Sequence, residues 1–126
     1  MYAPRWLYNT APMIRISVRP HHLSTDQTPG EQIFIFAYRV EIDNLGPKRV
    51  CVLGRRWNIC EASGRTHRYS GDDQLRPQLP PGERHQYQSY WVVRSPEARV
   101  TGAYQFLGSD DVVFEVPFTA VLRRSW

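Results

Sequence analysis

The sequence has no hydrophobic run long enough to cross a membrane. Its longest uninterrupted apolar run covers only residues 33–38, whereas a membrane-spanning helix needs about 20 apolar residues. The first twelve residues include Arg5 but no apolar segment of the length that a secretory signal requires. We therefore expect a cytoplasmic protein without a membrane segment.

Cysteine is almost absent, because the 126 residues contain only Cys51 and Cys60. Each lies in an apolar stretch, where a thiol behaves as a small hydrophobic side chain. We expect two reduced thiols, since a disulfide would require Cα atoms within about 7 Å of each other. A chain of this length buries roughly two-thirds of its unfolded surface, so a core can form without disulfides or metal.

Lysine is also scarce: Lys48 is the only one, and arginine supplies nearly all the positive charge behind the net charge of +4. The arginines are scattered from Arg5 to Arg124 rather than clustered. This distribution favours an ordinary solvated surface over the basic patch that a nucleic-acid-binding protein would need. A modest positive charge still favours contact with anions.

No segment shows the periodicity of a helix, and apolar residues alternate with polar ones at period two, which predicts strands. The predicted strands are 13–20, 32–43, 50–53 with 55–61, 65–69, 85–94, 99–107 and 112–122. Gly54 predicts a bend or a bulge, and Pro117 predicts an edge position or a bulge. We therefore predict an all-β, immunoglobulin/fibronectin type III-like β-sandwich of seven to eight antiparallel strands over residues 13–126, after an N-terminal tail over residues 1–12.

The alternation also predicts which side chains fill the core. Ile33, Ile35 and Ala37 predict that the second strand is covered on both faces where it begins. The large aromatic residues on inward positions are core candidates, with stacking platforms for single-stranded nucleic acid as the alternative. These residues are Trp57, Tyr87, Trp91, Tyr104 and Phe106. The longest irregular stretch, residues 70–84, is of the size that usually has a function or is mobile.

Histidines and two aspartate pairs are the candidates for metal binding and catalysis. His67 and His85 flank the long loop, and on paired strands they could form a weak divalent-ion site with the aspartates 72–73. The default interpretation is solvent-exposed histidines at strand ends. The aspartate pairs 72–73 and 110–111 are explained by turn chemistry, and Ser89 lacks the motif of a nucleophile. We therefore expect no enzyme activity, no metal and no cofactor.

Eight short segments resemble those of one family in their order and spacing. They are FAY at 36–38, IDNLG at 42–46, RRWNI at 55–59, ASG at 62–64, LPPGE at 79–83, YQS at 87–89, GAYQF at 102–106 and FEVPF at 114–118. Over about residues 13–122, the chain is similar to the ApaG family.

The resemblance implies a fibronectin type III-like sandwich that is not itself an enzyme. In F-box proteins and in a polymerase-interacting protein, the ApaG domain is attached to partner-recruiting proteins, which implies protein binding. Bacterial stand-alone members are associated with divalent-cation tolerance and lie beside a diadenosine-tetraphosphate hydrolase. The family also carries a Gly-x-Gly-x-x-Gly loop that is sometimes proposed to hold a pyrophosphate.

This sequence departs from that glycine loop. Counted back from Gly82 without gaps, the three glycine positions hold Tyr69, Gly71 and Gln74. Glycines matter there because backbone N–H groups must approach the anion closely. The aspartates at 72–73 would also repel a phosphate, so the simpler interpretation is a diverged surface loop.

Three binding hypotheses follow. The first is a non-enzymatic module that binds another protein through the loop 71–78, Arg55, Arg56 and an open sheet edge. Tyr90 with Arg94 would add an aromatic–arginine surface of the kind enriched at protein interfaces.

The second hypothesis is a small anion or nucleotide (pyrophosphate) binder through the loop around Gly71, with Arg68 and Arg76 as further ligand residues. The third is nucleic-acid binding driven by net charge, which the scattered arginines disfavour. The sequence names no partner, and both a monomer and a homodimer remain open.

Overall fold

A computed structural model of the chain describes residues 13–72 and 76–125, with Asp72 described by its backbone alone. The strands in this part of the chain are β1 Ile14–Thr28, β2 Glu31–Asn44, β3 Val50–Glu61, β4 Thr66–Asp72, β5 Gln78–Leu79, β6 Arg84–Val93, β7 Glu97–Gly108 and β8 Val113–Arg123. The predicted tail over residues 1–12, Asp73 and Gln74 lie outside the described residues.

The strands form two antiparallel sheets. One has three strands in the order β1-β2-β6, and the other has five, in the order β4-β3-β7-β8 with β5 also paired to β3. The predicted all-β sandwich is confirmed, with eight strands in the described ranges. No helix within those ranges is long and apolar enough to span a membrane.

The core lies between the two sheets and is rich in aromatic rings. Trp57 is central to it, because its ring meets those of Tyr38, Trp91 and Phe118 edge-on at centroid distances between 5.9 and 6.4 Å. Such aromatic pairs contribute about 0.5–1.5 kcal/mol each beyond their burial. The core interpretation is confirmed for four of the five candidate rings, and Tyr87 is half-buried. The buried four are Trp57, Trp91, Tyr104 and Phe106.

One β-bulge in β3 decides which of its side chains face the core. The pairing of β3 with β7 shifts by one residue between Val52 and Gly54, as the sequence predicted. Neighbouring residues on a strand face opposite ways, so one extra residue reverses the alternation. Val52 faces inward before the bulge, and Arg55 and Trp57 face inward after it. With uninterrupted alternation, Arg56 would have pointed into the core instead.

The first predicted strand boundary is wrong. β1 continues to Thr28, whereas the sequence predicted its end at Pro20. β1 is an edge strand, where a proline without an N–H group can be accommodated because that position can face away from the partner strand. A second bulge, between His22 and Ser24, shifts the register by one residue, and the pairing with β2 continues beyond it. Pro117 likewise lies on an edge strand, β8, as predicted.

The predicted irregular stretch 70–84 is shorter than expected. β4 continues through Asp72, and the two residues of β5 pair with β3 at Val50 and Cys51. Both cysteines are free thiols, as expected. Cys60, however, is exposed on the outer face of β3, so it does not act as the small hydrophobic side chain that was expected.

Asn44, at the end of β2, joins three neighbouring segments. It is only 1% exposed. Its amide nitrogen donates to the carbonyl oxygens of Lys48 and Leu79, both at 2.8 Å, and its Oδ1 accepts from the Gly46 N–H at 3.0 Å. Its backbone also pairs with the turn at 80–83, at 2.8 and 3.0 Å. This single side chain therefore fixes the end of the sandwich from which β3 starts.

Replacing Asn44 with alanine will destabilise the fold by about 3 kcal/mol, because it leaves buried backbone groups without partners. Urea unfolding measures this as a lower midpoint. Asn58→Ala is the matched control, since Asn58 is exposed on β3. Equal midpoints for the two variants would contradict the role assigned to Asn44.

Candidate functional site

Each sheet ends in an edge strand on the same side of the sandwich: β6 in the three-stranded sheet and β4 in the five-stranded sheet. We call this side, residues 66–72 and 84–93, the β4–β6 flank. In the described part of the chain no ladder joins the two strands, and side chains bridge them instead. Edge strands expose backbone N–H and C=O groups that can pair with another chain.

Arg55 points into the gap between the sheets at this flank. Its guanidinium carbon lies 5.4 Å from the ring centroid of Trp57, 5.5 Å from that of Tyr69 and 5.9 Å from that of Tyr87. Tyr69 belongs to β4 and stacks on Trp57 at 4.8 Å, whereas Tyr87 belongs to β6. Aromatic faces attract a cation at these distances. We call these four residues the Arg55 cluster.

The charge of Arg55 has no counter-ion among the residues that the structure describes. No described residue bonds to its guanidinium, and its Nε is buried. The nearby phenols do not compensate: burial raises the pKa of both Tyr104 and Tyr38, so both stay neutral. The Tyr104 hydroxyl is hydrogen-bonded to that of Tyr87. An uncompensated, half-buried cation is a costly arrangement for a residue with only a structural role.

Gly71 lies directly opposite Arg55 in the register of β3 and β4. Arg55 and the start of the loop 71–78, both named in the protein-binding hypothesis, are therefore neighbours. A Cβ atom at Gly71 would lie 2.7 Å from the Tyr69 hydroxyl, so this glycine leaves room for the Tyr69 ring beside Arg55. Its backbone does not adopt the left-handed conformation of a phosphate-binding glycine turn.

Glu61 ties β4 to β6 at one end of the flank. Its side chain is fully buried. It is hydrogen-bonded to the imidazole of His67 on β4, to the backbone N–H of Arg94 after β6 at 2.9 Å, and to the Ser95 side chain. Burial alone would raise the pKa of Glu61, but these hydrogen bonds outweigh burial and lower the pKa. The carboxylate therefore holds the two edges at a fixed separation.

Arg56 and Arg68 lie on the outer face of the five-stranded sheet. Arg56 and Arg55 thus face opposite sides of β3 and do not form one patch. Arg56 makes a bidentate pair with Glu115 on β8, at 2.8 and 3.2 Å. An open depression of about 360 Å³ brings Arg56 together with Arg68, Asn58 and Ser70.

Tyr90 and Arg94 belong to the three-stranded sheet. Tyr90 is 62% exposed and lies opposite Ala37, which is half-buried, so the predicted cover over this face of β2 is confirmed only in part. Arg94 is paired with Glu31 at 3.1 Å. It therefore does not offer the free guanidinium that the predicted aromatic–arginine surface required.

The described interactions of Arg76 do not involve the Arg55 cluster. Its side chain is exposed, its backbone is left-handed with φ 45°, and its carbonyl accepts a hydrogen bond from the Cys51 thiol at 3.4 Å. The structure therefore gives Arg76 a local backbone role beside β3.

The metal-site alternative required His67 and His85 to lie on paired strands, and they do not. His67 is on β4 and His85 is on β6, which belong to different sheets. The described residues contain no group of three or more potential metal ligands. His67 is instead engaged with Glu61, and the His85 ring lies 5.8 Å from that of Tyr87.

A larger open depression, of about 600 Å³, lies at the β3–β7 end of the five-stranded sheet, where Lys48, Arg49 and Asp111 line it. Its two cations are exposed, so water solvates their charge, whereas the guanidinium of Arg55 is half-buried. The Arg55 cluster is the stronger candidate site for that reason.

The sequence did not predict that Tyr69 and Tyr87 contact Arg55. The sequence pointed to Tyr69 as a replaced glycine, and to Tyr87 as a core residue or a stacking platform for nucleic acid. One signal was available: Arg55 stands two residues before the core residue Trp57, so it shares the inward face of the strand. An arginine at an inward position signals either a buried ion pair or a ligand.

These features define a class of protein: a small β-sandwich module with an arginine–aromatic site between two edge strands. The sequence model of the ApaG domain matches residues 24–108. Protein ApaG of Maricaulis maris is 35% identical over 103 residues, which cover 80% of this chain and 79% of the relative. Protein ApaG of an Enterobacter species is 33% identical over 84% of this chain and 86% of the relative.

Solved structures agree with the sequence comparison. The crystal structure of a Bordetella pertussis protein described as ApaA superimposes with a TM-score of 0.81 and 29% identity, over 90% of this chain and 94% of that one. A structural-genomics X-ray structure gives a TM-score of 0.82 and 26% identity, over 87% and 86% of the two chains. The chain belongs to the ApaG family, as its sequence segments predicted.

Stability will fall below pH 5 partly through Glu61. Its lowered pKa gives a stabilisation that is complete above the unfolded pKa of about 4.3 and is lost as the pH falls through the folded pKa. Urea unfolding between pH 7 and pH 3 will therefore show a shallower pH dependence for Glu61→Gln than for the unmodified chain. Glu97→Gln, at an exposed position, will leave the dependence unchanged. Identical slopes for the unmodified chain and Glu61→Gln would contradict this account.

Replacing Arg55 with methionine will change the free energy of unfolding by no more than about 1 kcal/mol. The variant loses the cation–π attraction, but it also loses the desolvation cost of a half-buried charge that has no counter-ion among the described residues, so the two effects largely cancel. Arg84→Met is the matched comparison, because Arg84 donates to Asp43 at 2.6 Å and its removal leaves that carboxylate short of a partner. Urea midpoints will rank Arg84→Met as the less stable variant. The reverse order would give Arg55 a structural role.

Proposed function

We propose that this chain is a non-enzymatic binding module that recognises another protein along the β4–β6 flank. The observation that carries the proposal is Arg55, whose charge has no counter-ion among the described residues and which is surrounded by three aromatic rings. Arginine and aromatic residues are enriched where proteins bind each other and contribute much of the binding energy.

The edge strands support the same proposal. An extended segment of a partner can pair its backbone with β4 or β6, as peptides do with exposed sheet edges. Tyr69, 44% exposed on β4, then offers an aromatic surface beside the paired backbone. Main-chain pairing would supply affinity and the Arg55 cluster would supply selectivity.

A small anion or nucleotide remains the second candidate. It is favoured by the position of Gly71 opposite Arg55, and by the absence of a counter-ion for Arg55 within residues 13–72 and 76–125. The packing of the Tyr69 hydroxyl against Gly71 argues against it, because this ring occupies the side from which a phosphate would approach that backbone. The phosphate titration described below tests this candidate.

Selection of random displayed peptides on the immobilised chain tests the protein-binding proposal. We expect bound peptides whose affinity falls at least tenfold, about 1.4 kcal/mol, in Arg55→Met and in Tyr69→Ala. Tyr90→Ser and Arg56→Met, on the two outer faces, will retain binding. Peptides whose binding depends on Tyr90 or Arg56 instead, or no enrichment above an uncoated surface, would contradict the proposal.

A further inference from the structure

We infer that the Arg55 cluster is a receptor for a single carboxylate group and discriminates against phosphate. The inference rests on the proposed function, since the carboxylate would belong to the bound protein segment. It concerns the chemical group that the flank recognises, which the binding proposal leaves open.

The first argument is the direction in which Arg55 can still bond. Of its three nitrogens, only Nε is both buried and without a partner in the described ranges. The two terminal nitrogens also have no partner in those ranges, but they are not buried, so they are in contact with solvent. These nitrogens form the edge of the guanidinium that makes two parallel hydrogen bonds to a carboxylate. The rings of Trp57, Tyr69 and Tyr87 hold that edge in place.

The second argument is charge. A phosphate dianion needs several donors or cations, whereas Arg55 provides one positive charge. The other arginines of the two edge strands do not join it: Arg84 is held by Asp43, and Arg68 faces the outer side of the sheet. One isolated cation matches one monoanion.

The third argument is the small number of further donors among the described side chains of the inner face. The Tyr87 hydroxyl is hydrogen-bonded to that of Tyr104, which leaves the Tyr69 hydroxyl, beside Gly71, as the other hydroxyl of the cluster. A carboxylate needs only the two N–H groups of the guanidinium edge, whereas a tetrahedral phosphate has more oxygens than these few donors can satisfy. An aspartate or glutamate side chain and a C-terminal carboxylate share this chemistry.

A titration followed by nuclear magnetic resonance tests the receptor without any partner. The Nε–H signal of Arg55 in the full chain, assigned by its loss in Arg55→Lys, is followed while acetate or phosphate is added at constant ionic strength. We expect a saturable shift of this signal in millimolar acetate and none in phosphate, with the Nε–H signals of Arg84 and Arg94 unmoved. The indole N–H of Trp57 serves as a second reporter, and it will respond to acetate in the unmodified chain but not in Arg55→Lys.

Two outcomes of the titration overturn the inference. A saturable shift with phosphate but not with acetate would favour the small-anion function instead. The absence of a shift with either ion would show that the cluster binds no carboxylate.

The selected peptides separate this inference from the proposed function. Each Asp or Glu is replaced by Asn or Gln, and the C-terminus is amidated in a separate arm. We expect one of these changes to weaken binding as much as Arg55→Met does, and the arm concerned identifies the source of the carboxylate. If every change leaves affinity intact while Arg55→Met and Tyr69→Ala still abolish it, the flank binds protein but the inference is wrong. If no peptide binds at the flank, the proposed function itself fails.

Discussion

The one-residue bulge in β3 is the constraint on which both the core and the candidate site depend. Before the bulge β3 presents Val52 to the core, and after it the same face carries Arg55 and Trp57. With uninterrupted alternation of the same residues, Arg56 would replace them on the inner face, and the central tryptophan would point to solvent. The bulge therefore does two things at once: it places the ring around which the core packs, and it places an arginine at the open side of the sandwich.

Polar side chains elsewhere stabilise the fold and offset the free-energy cost of placing Arg55 between the sheets. Most buried polar groups elsewhere are satisfied, as Asn44 and Glu61 show with their several hydrogen bonds each. Among the described residues, the indole nitrogen of Trp91 is the other buried side-chain atom without a partner. Arg15 and Arg84 together hold Asp43 across the three-stranded sheet. Arg55 departs from this pattern most, because its charge meets aromatic rings and no counter-ion among the described residues. Functional sites are where proteins keep arrangements that do not favour stability.

Much of the fold could be predicted from the sequence because period-two alternation marks each strand locally. The bulge at Gly54 and the edge position of Pro117 followed from backbone chemistry in the same way. The extension of β1 past Pro20 could not be predicted, since only the position of β1 at a sheet edge makes proline acceptable there. The site was predicted in fragments: Arg55 and Gly71 were both named, but their pairing across β3 and β4 depends on register, which a single sequence does not reveal. Likewise, the separation of His67 from His85 depends on which sheet each strand joins.

The central claim is that Arg55 is kept for binding rather than for packing. A double-mutant cycle between Arg55→Met and removal of the carboxylate from a flank-binding peptide measures it most directly. The account predicts a coupling free energy of about 1.5–3 kcal/mol, the range for hydrogen bonds to charged groups. A coupling free energy near zero, with each single change acting independently, would contradict it.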